Sequence, residues 1–199
     1  MVQIILALVT GLVIIVIFSK KAYAHCDTMD GPTAKDGLKA LKTNNINFAL
    51  KWIAPEYEKE LSTVFELSVK VRKLNKDAEE LADRYFLENL VRIHRAVEGA
   101  PFEGLKPHGF PSDEKVAAAD KSIEIGNLLP LEGLVTHEEM HELEKRFEKA
   151  MSLKSFDVND VEAGRKYIEA YVSFFKFAEG EEHDHGHGHA HNNTQDHHH

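Results

Sequence analysis

The sequence predicts an all-α protein: an antiparallel bundle of about five to seven helices, followed by a disordered C-terminal tail. Three observations predict it. Apolar residues recur at three- and four-residue spacing through the middle of the chain. No segment sustains period-two alternation, and no Asn-Gly or Asp-Gly hairpin signal lies between apolar runs. The stretches joining the periodic segments are short, which makes successive helices antiparallel neighbours.

Taken in order, residues 33–42 read as a first helix, stopped by Thr43-Asn44-Asn45. Residues 45–52 read as a short second helix closed by Pro55. Proline suits a first helical turn, so Pro55 opens a third helix to about residue 75, with Leu61, Val64, Phe65, Ser68 and Val71 on one face. Asp77 and Glu80 read as a capping box for a long fourth helix to about residue 98. A rigid loop follows, with prolines at 101, 107 and 111 and glycines at 99, 104 and 109. Ser112 is expected to cap a fifth helix to about 129. Thr136 and Glu139 cap a sixth to about 153. Asp157 or Asp160 opens a seventh to about 178, whose stripe of Tyr167, Ile168, Tyr171, Val172, Phe174 and Phe175 reads as core.

The two ends of the 199-residue chain differ from this middle. Residues 1–24 read as a signal peptide, 25–180 as one helical domain, and 181–199 as a histidine-rich disordered tail. The apolar run 4–18 is short for a membrane helix, and Ala22-Tyr23-Ala24 supplies the small-x-small pattern read by signal peptidase. Lys20 and Lys21 follow the apolar run where they oppose translocation, so an uncleaved anchor at 4–18 is the alternative. Export to the periplasm or beyond is the expectation. The net charge of −9 excludes a nucleic-acid backbone as partner, because that binding needs clustered cations. A membrane partner is expected only through an uncleaved leader, and self-association is compatible with the pattern.

Cys26 is the only cysteine. Cleavage after Ala24 makes His25 the new N-terminus, placing an α-amine, an imidazole, an amide nitrogen and a thiol within two residues. The α-amine titrates near neutrality (about 7.7–8.0), so a metal displaces its proton at little cost. Nitrogen and sulfur donors in adjacent chelate rings favour Cu(II) or Ni(II), and the thiolate also suits Cu(I) or Zn. Asp30 is a candidate further ligand. The alternative is a frayed terminus that binds nothing.

The run His25-Cys26-Asp27-Thr28-Met29-Asp30-Gly31-Pro32 resembles the start of the mature chain in an uncharacterised family of exported bacterial helical proteins. The likeness extends to Glu98-Gly99-Ala100-Pro101-Phe102. More remotely, the first seven or so of these residues are similar to the nickel hook of nickel superoxide dismutase, which also begins His-Cys-Asp. That likeness implies nickel held by the terminal amine, the His25 imidazole, the amide of Cys26 and its thiolate, in front of a helical bundle. Asp30 stands where that family has its second cysteine, and the hook proline and tyrosine are missing; the nickel potential would not be tuned in the same way.

Three further groups carry metal-ligand chemistry. His94 shares a stripe with Leu87, Leu90 and Val91, and Glu98 lies one turn on. The pair reads as a core histidine satisfied by a carboxylate, or as a metal or proton-relay site closed by the N-terminal hook. His137-Glu138-Glu139-Met140-His141 fits H-E-x-x-H, which places His137 and His141 on one helix edge. The Thr136–Glu139 capping box explains the same glutamates without catalysis. The tail holds eight of the thirteen histidines, with His183, His185, His187, His189 and His191 alternating with Gly, Ala and Asp. Such a tract buries little apolar area, and its imidazoles chelate Zn, Ni and Cu loosely.

The expected function is extracytoplasmic binding of a transition metal ion (Ni, Cu or Zn) for buffering, delivery or sensing. The hook holds one ion and the tail captures others. A metal-dependent redox enzyme resembling nickel superoxide dismutase is one alternative. A membrane-anchored helical interaction module is another.

Overall fold

A computed structural model describes residues 26–180. The leader at 1–24, with its apolar run 4–18, lies outside the described residues, as do His25, His183, His185, His187, His189 and His191. Among the described residues no helix is long and apolar enough to cross a membrane.

The regular elements of the described residues are helices. α1 (Pro32–Thr43) starts on Pro32 behind the extended Gly31 and stops where Asn44 turns left-handed at φ 52°. α2 (Asn47–Leu50) is shorter than the 45–52 expected. A 3-10 turn, Pro55–Tyr57, then leads into α3 (Glu58–Val71), so Pro55 opens the turn before the helix and α3 stops short of residue 75. α4 (Lys76–Val97) is capped by Asn75, whose side chain accepts from the Ala78 N–H 2.9 Å away. Asp77 and Glu80 therefore lie inside the first turns and form no box; the extended backbone at Asn75 puts its amide oxygen over the helix end first.

α5 (Glu114–Ile125) is capped by Asp113 instead of Ser112, and Gly126 at φ 79° ends it before residue 129. α6 (His137–Leu153) carries the Thr136–Glu139 capping box as read from the sequence. α7 (Val161–Glu179) is capped by Asp160, which accepts from the Ala163 N–H.

Packing follows the buried faces. α3 and α4 form a helical hairpin across residues 72–75, and α1 lies on α4. α6 and α7 form a second hairpin, with α5 against α7. One continuous apolar core runs through both hairpins, with Leu61, Phe86, Leu87, Leu90, Ile93, Leu131, Leu143 and Phe174 fully buried. Among the described residues the one β element is an isolated parallel bridge between Thr28 and Lys106. It ties the start of the described chain to the proline- and glycine-rich loop after α4, and so places the N-terminal segment against the end of that helix.

Candidate functional site

The segment 26–31 has no helix to bury it, yet Cys26, Asp27 and Thr28 are all buried. Backbone pairing explains this: the Lys106 N–H donates to the Asp27 carbonyl at 2.7 Å, and the Met29 N–H donates to the Lys106 carbonyl at 3.0 Å. The loop thus presses residues 26–28 onto the last turn of α4, which carries His94, Arg95 and Glu98.

That turn is unusual in its charge. A helix C-terminus carries partial negative charge and favours cations, so Arg95 belongs there and Glu98, at the C-cap, does not. Two cations offset it. Arg95 Nη1 donates to Glu98 Oε2 at 3.2 Å, and Lys176 Nζ of α7 lies 3.3 Å from Glu98 Oε1. Arg95 Nε also stands 3.5 Å from Asp27 Oδ1. Burial pushes the Asp27 carboxyl up to about 6, with Arg95 opposing and Glu98 adding to the rise. Burial likewise raises the Cys26 thiol far above its ordinary value, and the negative charges of Glu98, Asp27 and Asp120 raise it further. Asp120, on α5, accepts a short hydrogen bond from the buried Tyr171 hydroxyl of α7.

His94 is 3% exposed and fully oriented. Its Nδ1 lies 2.9 Å from the Trp52 carbonyl oxygen, which only accepts, so Nδ1 carries the proton. The Trp52 ring packs edge-on at 5.6 Å. Nε2 is left with its lone pair and no hydrogen-bond partner, facing Glu98 Oε2 at 3.7 Å. Burial holds the imidazole below its ordinary pKa, outweighing the pull of Glu98. Two acceptors therefore face each other across a gap too long for a hydrogen bond.

The other candidates lie apart from this cluster. Asp30 is exposed, with its carboxylate taken up by His108 Nδ1 at 2.6 Å and the Gly109 N–H at 2.7 Å; these bonds hold it below the usual carboxylate range. His137 and His141 are exposed on the first turns of α6, where Glu139 is engaged by the cap: it accepts from the Thr136 N–H at 2.6 Å. Glu88 and Arg92 do not pair with each other; Arg84 holds Glu88 at 3.0 Å and Arg92 reaches Glu60 on α3. Among the described residues no three His, Cys, Asp or Glu side chains stand in position to hold a metal ion.

Sequence reasoning reached Cys26, His94 and Glu98 but missed Lys176, Asp120 and the hydroxyl of Tyr171 as their neighbours. Lys176 and Tyr171 had one available signal: a lysine and a tyrosine on the apolar face of α7 each need a polar partner when buried. Asp120 had none.

A model of a family of unknown function (DUF6448) matches residues 30–177. The match takes in His94 and Glu98. This bears out membership of an uncharacterised family, while residues 25–29 of the His-Cys-Asp start lie outside the match. No curated protein and no solved structure matches the chain, so the likeness to nickel superoxide dismutase rests on the first residues alone.

Proposed function

The chain belongs to that family of unknown function, and we propose from its own residues that it is an extracytoplasmic transition-metal-binding protein that buffers, delivers or senses nickel, copper or zinc. The observation that carries this reading is the seat of Cys26. The chain's one cysteine is buried two residues after the expected cleavage point, where the charges of Glu98, Asp27 and Asp120 all act on its thiol. A thiol used only as a small apolar filler has no need of three carboxylates around it, since their charge raises the cost of its reactive form. Their presence makes sense with a cation among them. Cleavage after Ala24 frees the α-amine of His25 to join the thiolate as ligand. The eight tail histidines supply a second, looser class of sites.

The test is the intact mass and metal content of untagged mature protein taken from its native compartment. The expected result is a chain beginning at His25 with one ion that survives dialysis, plus weaker equivalents that disappear when residues 183–199 are removed. A secreted form that keeps its leader, or an unchanged stoichiometry after removal of the tail, overturns the reading.

A further inference from the structure

We propose that the outer face of the α3–α4 hairpin is a dimerisation surface. A second copy of this chain packs on it about a two-fold axis running along the helices, and the two hairpins make a four-helix bundle. The surface stands apart from the metal-binding reading and does not depend on it.

Apolar side chains mark the face. Among the described residues eight large apolar side chains stand exposed, and four of them lie here: Leu67 at 51%, Leu74 at 73%, Leu81 at 70% and Tyr85 at 48%. The hairpin brings them together. Phe65 packs on Phe86 and Glu60 pairs with Arg92, which sets Leu67 level with Tyr85 and the half-buried Val71 level with Leu81. Leu74 ends the stripe at the turn. With roughly 200 Å² for a fully exposed side chain of this size, the four leave about 450–500 Å² of apolar surface open. The largest patch on a typical monomer is about 300–600 Å², and such patches mark contact sites. A standard interface takes about 800 Å² from each partner, a little over half of it apolar. The stripe supplies that share.

Charge decides the occupant. Glu66, Lys70 and Lys73 run exposed along the rim of α3 and its turn; at the same heights Arg84, Glu80 and Asp77 run exposed along the rim of α4. A two-fold axis parallel to the helices lays α3 of one copy over α4 of the other without changing height. Glu66 then meets Arg84 of the second copy, and Lys70 and Lys73 meet its Glu80 and Asp77. An axis across the helices at Val71 and Leu81 instead sets Lys70 against Lys70 and Glu80 against Glu80, which repels. A surface that complements its own two-fold image fits an isologous contact, the commonest kind between identical chains. An anionic lipid surface fits less well, because the acidic rim of α4 repels it.

The test uses the full secreted chain in chelator, so that metal bridging between tail histidines does not tie copies together. Sedimentation equilibrium at low salt is expected to give twice the chain mass at micromolar concentration. Leu81→Arg should leave the helical circular dichroism unchanged, since the side chain is exposed, and weaken the dimer roughly a hundredfold or more. Lys70→Glu and Glu80→Lys should each weaken it about tenfold. Mixed in equal amounts, these two variants form a heterodimer in which both pairs are again opposite in sign, and the affinity returns to about that of the parent. A parent chain that stays monomeric up to about 1 mM overturns the proposal, as does a dimer untouched by Leu81→Arg. A mixture no tighter than either charge variant alone overturns the two-fold register. A monomer that binds phosphatidylcholine vesicles through Leu81 puts a lipid surface in place of the second copy.

Discussion

Arg95→Met is the substitution that reads the buried cluster most directly. The methionine keeps most of the apolar stem and deletes the guanidinium, so packing loss is small beside the electrostatic change. Arg95 is 3% exposed and serves two acids, Glu98 at 3.2 Å and Asp27 at 3.5 Å. Breaking one partner out of a buried pair costs about 3–5 kcal/mol because it strands a charge. Glu98 retains Lys176 at 3.3 Å, so the stranded charge is that of Asp27. Protonation relieves it, and this sets the pH dependence. The folded carboxyl of Asp27 is already raised to about 6 from 3.8. The folded state therefore binds more protons there than the unfolded state, and stability falls as pH rises through that window. Without Arg95 the folded value climbs further. The deficit of the variant then grows above pH 6 by about 1.4 kcal/mol per pH unit until it passes the new value. Urea denaturation followed by helical circular dichroism checks this in metal-free protein. The expected deficit is about 3 kcal/mol at pH about 7.5, a midpoint shift of roughly 1–3 M, and about 1–2 kcal/mol less at pH about 5.5. A deficit that is equal at both pH values, or larger at the lower one, refutes the assignment of the stranded charge to Asp27.

Other outcomes follow from the same structure. Gly37 lies where α1 crosses α4, and a Cβ there would meet Leu87 Cδ2 at 2.6 Å and Leu90 Cδ2 at 2.9 Å. Both leucines are fully buried, so Gly37→Ala should lose more to overpacking, about 1–3 kcal/mol, than the roughly 1 kcal/mol it gains in helix propensity. A raised denaturation midpoint would show that the core there is loose. Thr136→Ala should cost about 1 kcal/mol by removing the α6 capping box, measured by thermal unfolding with its entropy scale; no shift would mean α6 is capped by other groups. The helix-start charge also gives a direction with pH. Hydrogen bonds from Thr136 hold the Glu139 carboxyl below its ordinary 4.5, so its contribution is present above that value and is lost as pH falls through the depressed one. Cys26 should react slowly with a disulfide reagent in metal-free folded protein, because the thiol is buried and its thiolate disfavoured, and fully in denaturant. Fast stoichiometric labelling of the folded chain would mean the 26–31 segment is not seated on α4.

Much of the fold was legible because helices announce themselves locally. The stripe Leu87, Leu90, Val91 and His94 follows from 3.6 residues per turn, and all four side chains are buried together. The Thr136–Glu139 box needs only four residues to form, and it forms. Where two capping residues competed within a few positions, as Asn75 with Asp77 or Asp113 with Ser112, backbone dihedrals decided between them, and these depend on how the preceding turn leaves its own helix. The site divides in the same way. His94 and Glu98 lie one turn apart on one helix, so their pairing was a matter of spacing. That Asp27 reaches Arg95, that Lys176 shares Glu98 with Arg95, and that the Trp52 carbonyl chooses the His94 tautomer are contacts between elements far apart in the chain. No periodicity carries such information. Side chains from separate helices meet only where packed faces bring them, and burial then turns ordinary charges into partners that must satisfy one another.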